Sequence, residues 1–253
     1  MIEQLFTAKW LEKRPFIAFI LGFLYSIIAI ISSLIIFPSD LGLASLGFLS
    51  LLLLPSLNKL LVLEEKQELS NRKPGLRAIF REHYDIIEVY LFLFLGILIA
   101  YMFIFLLMGL NNANLFYSQL GAAGLVGSAI NKTILGEVLL NNLKVLLVFF
   151  ILSLIYGAGS IFFLSWNASA WGVVFAFLIM KNNSLTPFLA SLPYLLLEAV
   201  GYLVGVIAGG ILSKAAIRRH IEPERFWVVV NDSLLMLIIG AILISIGAII
   251  ESL

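Results

Sequence analysis

An all-α polytopic bundle of about seven transmembrane helices, one of them short, is the fold this sequence predicts, with amphipathic helices at the interface. Three observations predict it. Successive stretches stay apolar for the roughly 20 residues a helix needs to cross the hydrocarbon core. Hydrophobic residues form 62% of the chain and charged ones only 12%, where a soluble domain carries about a quarter. The cations fall in clusters between the apolar stretches. The whole chain, 1–253, reads as a single transmembrane domain.

The elements follow in order. Ile2, Leu5, Phe6 and Trp10 share a face opposite Glu3, Lys9, Glu12 and Lys13, an interfacial helix with Trp10 at headgroup level. Span one runs from Pro15 to Phe37, with Pro15 in a first turn and Pro38-Ser39-Asp40 as the stop. No small-residue cleavage site follows it, so a retained helix is expected. Span two is Leu41 to Leu63, with Pro55 inside. In the loop Glu64 to Glu88, residues Leu76, Ile79, Phe80, His83, Tyr84 and Ile87 recur at helical spacing. They predict an amphipathic helix, 76–88, lying in the interface. Span three is Val89 to Leu110 and closes the N-terminal part, 1–110. The connection Asn111 to Asn142 carries no charge through Asn131 and is rich in small residues. It folds onto the bundle as an outer helix or dips in as a re-entrant hairpin. Span four is Leu143 to Leu164, span five a short Ala168 to Met180, span six Pro193 to Ile217 and span seven Leu234 to Ile250.

Orientation follows from the cations. Of the 16 lysines and arginines, 13 lie before span one, at the end of span two, between spans two and three, or around the loop after span six. Only Lys132, Lys144 and Lys181 lie on the other side. The positive-inside rule then puts the N-terminus in the cytoplasm and, with seven spans, the C-terminus outside a cell membrane.

Several function classes lose support. A net charge of +1 offers nothing to nucleic acid, and the absence of cysteine excludes disulfides and thiolate sites. His83 and His220 stand far apart in polar segments, so no metal centre and no cofactor is expected. No HExxH, Walker, GxSxG or dinucleotide-binding motif occurs, and no span carries a histidine to serve the serines Ser26, Ser32, Ser33, Ser153 or Ser245 as a base. Those hydroxyls are expected to bond back to their own helix carbonyls. An enzyme is not expected. The partners left are the lipid bilayer, proteins docking on 76–88 or on 111–142, and a second copy of the chain.

One acid stands out. Glu198 lies about one turn into span six, and an ionisable group inside a span is a functional candidate by default. Asn141 and Asn142 open span four at the same side, so the three form a candidate polar cluster. Asn167 falls at the opposite side and is not expected to join them. Gly201, Gly205 and Gly209 form a double GxxxG stripe for close helix packing, with Gly157 and its neighbours on span four as the counterpart.

From about Leu140 to Ala216 the chain resembles the stage II sporulation protein M family, making 140–217 a family-like core. The resemblance lies in Asn141-Asn142, Gly157 and Gly159, Asn167 and Gly172, Pro193 with Glu198 five residues on, and the glycine stripe. Where the family has His-Gly after that proline, this chain has Tyr194-Leu195. The resemblance implies a non-enzymatic multi-pass protein; in endospore formers the family member is a scaffold for peptidoglycan-degrading enzymes. A scaffold or membrane-organising component is the expectation. Its rival is a secondary transporter or channel with Glu198 in the path, because transporters place broken helices and a buried acid near the midplane. Depth of Glu198, and a cavity reaching it, discriminate the two.

The orientation is open to a direct test in this cysteine-free chain. Single cysteines at Ser118 and Ser252 are expected to react with an impermeant maleimide added outside cells, and one at Ser70 only after permeabilisation. Labelling of position 70 from outside would overturn the assignment.

Overall fold

The computed structural model describes residues 14–68, 76–122, 135–157, 161–218 and 223–252, with side chains over 14–62, 84–121, 136–157, 161–217 except Pro187, and 226–251. Among them there is no strand. The helices are α1 Phe16–Ile36, α2 Leu41–Glu68, α3 Leu76–Met108, a 3-10 segment Leu110–Phe116, α4 Tyr117–Ala122, α5 Leu135–Tyr156, α6 Ile161–Asn182, α7 Thr186–Arg218 and α8 Pro223–Ser252. Seven of them are long and apolar enough to cross a membrane. The interfacial helix expected at Ile2 to Trp10 lies outside the described residues.

We call the side where α1 begins the first face and the side where it ends the second. α3 and α7 form the middle. α1 packs along α3, α5 and α8 pack along α7, and α2 and α6 touch both central helices. α7 is the most enclosed: 83% of its most apolar stretch is buried, against 28% for α5. Its sequence has apolar residues on every side, which is what a helix surrounded by helices requires.

Four expectations about element limits change. The amphipathic stretch 76–88 is helical, yet it is the uninterrupted beginning of α3. A continuous helix keeps one axis, so this stretch extends span three and does not lie flat as a separate interfacial helix. The side chains of Ile79 and Phe80 lie outside the described residues, and Ile86 is fully buried. Second, α5 ends at Tyr156, eight residues before the end expected for span four at Leu164. Gly157 adopts φ +56°, a left-handed conformation that stops a helix and favours glycine. Third, the span after it is not short. α6 begins at Ile161 and runs 22 residues. Fourth, the break before the sixth span is only three residues long.

That last break explains itself in its hydrogen bonds. Asn183 takes φ +49°, and the Ser184 N–H donates to the Ile179 carbonyl at 3.3 Å, a left-handed cap closing α6. Ser184 Oγ then accepts from the Thr186 N–H at 3.1 Å and opens α7. One asparagine–serine pair thus ends one span and starts the next. Pro193 sits inside α7 instead of at its start, on an exposed face.

The described part of the connection 111–142 is a cap on the second face. Gly109, at φ +79°, ends α3, and the 3-10 segment turns Phe116 back against Phe105 with ring centroids 5.5 Å apart. Gln119, fully buried, donates to the Gly42 carbonyl at 3.0 Å. Ser45 there bonds the buried Tyr101 hydroxyl at 2.7 Å. From residue 135 onward the chain already belongs to α5.

The glycine stripe of α7 serves two neighbours. A Cβ at Gly201 would meet Ile244 Cγ1 at 2.6 Å and the Gly240 carbonyl at 2.9 Å, both on α8. At Gly209 it would collide with the Phe150 carbonyl of α5, and at Gly205 it would meet Leu146 Cδ1 at 2.5 Å. Each four-residue step turns about 40° around a helix of 3.6 residues per turn, so the stripe drifts from one partner to the other. Gly157, expected as part of the counterpart, makes no approach this close. It faces Ser213 and Lys214 at the end of α7, at ordinary contact distances, and residues 158–160 lie outside the described ones. Hydroxyls reinforce the stripe: Ser153 Oγ donates to the Val206 carbonyl at 2.5 Å and Ser233 Oγ to the Ala208 carbonyl at 3.1 Å. Ser245 bonds back to its own helix, whereas Ser153 reaches across. Ser26 and Ser33 have no hydrogen-bond partner for their buried hydroxyls among the described residues.

Replacing Gly209 by alanine puts a methyl where backbone meets backbone and is expected to cost about 1–3 kcal/mol, read as a lower melting temperature in detergent. Gly47→Ala is the control, since a Cβ there meets open space. Equal melting temperatures for the two variants would contradict this packing.

Candidate functional site

Because α7 begins at Thr186, Glu198 lies twelve residues along it, about 18 Å from the helix start at 1.5 Å per residue. The sequence expectation of about one turn follows from taking Pro193 as the start. Glu198 stands level with Asn142, seven residues into α5, and with Gly247, five residues before the end of α8. Glu198 is buried, at 5% exposure. Gly247 of α8 makes room for it: a Cβ there would stand 2.9 Å from Glu198 Cγ.

Asn142 reaches the acid from α5. Its Nδ2 donates to Glu198 Oε1 at 2.7 Å, and the asparagine itself is buried. α5 and α7 run parallel, so Asn142 and Glu198 share a level, as do Leu146 with Gly205 and Phe150 with Gly209. Interhelical hydrogen bonds of this kind contribute about 0.6–2 kcal/mol within a membrane. Asn141, the next residue, is exposed and lines the space in front of the pair without bonding Glu198.

That space is a cavity of about 520 Å³ walled by α5, α6, α7 and the end of α8. It exists because α5 and α6 each pack on α7 with little direct contact between them. Its lining includes Asn141, Asn142, Trp166, Trp171, Tyr194 and Glu198. Glu137, in the first turn of α5, and Glu251, near the end of α8, stand at its exposed rim toward the second face. Among its lining residues there is no lysine or arginine.

Asn167 also lines this cavity, against the expectation that it belongs to the opposite side. The earlier start of α6 is the reason. Asn167 lies six residues inside that helix instead of at the end of span four, and shares a wall with Trp166, Ala170 and Trp171. The structure therefore brings together Glu198, Asn141, Asn142 and Asn167. Gly201, Gly205 and Gly209 pack beside them, and Gly157 lies elsewhere.

Sequence reasoning missed Trp166, Trp171, Glu137 and Glu251. The tryptophans carried a signal, because an indole away from the headgroup belt asks for a partner. With span five begun at residue 168, Trp166 falls in a connection and Trp171 near an interface, and the signal disappears. Among the described residues no three His, Cys, Asp or Glu side chains are grouped to hold a metal ion.

Comparison with known proteins gives one finding. The family model described as Stage II sporulation protein M matches residues 89–253, well over half of the chain. No curated protein and no solved structure matches it. The matched residues contain α5 to α8 and with them the whole cavity. By this match the chain is a multi-pass membrane protein that belongs to the stage II sporulation protein M family.

Proposed function

We propose that the chain is a non-enzymatic membrane protein that binds a polar solute at Glu198, in the manner of a secondary transporter or channel. The observation that supports this reading is the cavity of about 520 Å³ that reaches a buried carboxylate about 18 Å along α7. Its volume lies within the usual range for small-molecule sites, about 300–1,000 Å³. A carboxylate so placed is costly unless it has work to do or full compensation. Among the described residues Asn142 compensates one oxygen, Oε1. With the orientation argued from the cation clusters, the N-terminus is cytoplasmic and the second face, where the rim acids stand, is the outer one.

A second reading, a scaffold or membrane-organising component, is supported by the family membership and by the helix-packing glycines that stiffen α7. The two readings part at Glu198. Glu198→Gln keeps the shape and the Asn142 bond, so a scaffold tolerates it and a transporter does not.

The solute-binding reading requires that water and small solutes reach the cavity. Val174 lines it, whereas Ala176, two residues on, is fully buried in the core. In proteoliposomes, Val174→Cys is expected to react with a small cationic thiosulfonate and Ala176→Cys to remain unmodified. An unreactive position 174 would contradict the reading.

A further inference from the structure

The lining of the cavity also speaks to the chemistry of its ligand. Three features point the same way. First, its charge is of one sign: Glu198 is inside, Glu137 and Glu251 are at the rim, and no lysine or arginine lines it. An anion entering would meet carboxylates and no cationic side chain among the lining residues, while rim acids raise the local concentration of cations. Second, Glu198 has an open valence. Oε1 accepts from Asn142, and among the described residues Oε2 accepts nothing, although the residue is 5% exposed and lines the cavity. Third, the remaining walls are aromatic. Trp166, Trp171 and Tyr194 face the same space, and Trp171 is held edge-on against Phe94 at 5.5 Å. Indole faces attract cations and cover apolar stems.

A bare metal ion suits this lining poorly. Hard cations ask for six or more oxygen ligands close together, and among the described residues no three acids are grouped to supply them. The volume of about 520 Å³ asks for something larger. An ammonium group with a short apolar body meets each demand: its N–H donors satisfy Oε2 and the asparagine carbonyls, and its body lies on the indoles.

We propose that the cavity between α5 and α6 is a binding site for a primary ammonium ligand, with Glu198 as its counter-ion and Trp166 and Trp171 as its aromatic wall. This rests on the solute-binding reading above. The same ammonium chemistry belongs to a free alkylamine and to the headgroup of phosphatidylethanolamine. The gap between α5 and α6 opens beside exposed Asn141, so either source has access.

The test is a titration of the full-length chain in phosphatidylcholine nanodiscs, followed by tryptophan fluorescence. The probes are butylammonium, butanol and butanoate. Butylammonium is expected to give a saturable change that the other two do not. Glu198→Gln should raise its Kd at least tenfold while its melting temperature shows the variant folded. Glu251→Gln, at the rim, should raise Kd several-fold at low salt and less at high salt, and it carries the test if Glu198→Gln does not fold. Nanodiscs with phosphatidylethanolamine distinguish the sources: a raised apparent Kd there means that the headgroup competes for the site, and an unchanged one means that a free amine is the ligand. Equal responses to butylammonium and butanol, or an unchanged Kd in Glu198→Gln, would overturn the proposal. Saturable, Glu198-dependent binding of butanol or butanoate instead would overturn the ammonium class and leave solute binding standing. Absence of saturable binding with all three probes, together with an unreactive Val174→Cys, would overturn both.

Discussion

A carboxylate has to be carried through the interior of a membrane bundle on its most enclosed helix, and the C-terminal half is arranged around that constraint. Glu198 is 5% exposed on a helix that is buried over 83% of its most apolar stretch. Hydrocarbon offers no hydrogen bond, so whatever compensates the acid has to come from neighbouring helices or from something bound. Asn142 compensates Oε1. The gap left between α5 and α6 keeps a polar, aromatic space in front of the rest of the group.

The glycines make the same constraint affordable in space. α7 can be approached by α8 at Gly201 and by α5 at Gly209 because neither carries a side chain. Gly247 removes the side chain opposite Glu198 itself. The close contacts lie mainly toward the first face from Glu198, and the cavity lies toward the second. α7 is therefore clamped along one part and flanked by open space along the other. Ser153 and Ser233 add hydrogen bonds to the clamped part, onto the carbonyls of Val206 and Ala208.

Much of this was legible in the sequence, and what was misread between spans four and six has one physical origin. Spans one to three were well placed because Pro15, Pro38 and the charged loop punctuate them strongly. Glu198, Asn141 and Asn142 stood out because polar residues at those positions are expensive. Between residues 157 and 193, however, the stops are a glycine and an asparagine with positive φ, which a run of small and apolar residues hides. Proline at 193 imitates a helix start, although Ser184 supplies the real one. Moving the start of α7 back to Thr186 puts Glu198 further along its helix, and moving the start of α6 back to Ile161 brings Asn167 and both tryptophans to the same cavity. The stripe of glycines was visible, but which helix each glycine meets depends on the crossing geometry and not on the spacing.

The most direct test of this account is a structure of the full-length chain in lipid nanodiscs, by cryo-electron microscopy at a resolution that shows ordered water. The account predicts Asn142 Nδ2 bonded to Glu198 Oε1 near the 2.7 Å seen here, with water or ligand density between Oε2 and Trp171. Glu198 turned toward lipid, or the space between α5 and α6 closed by its own side chains, would contradict it.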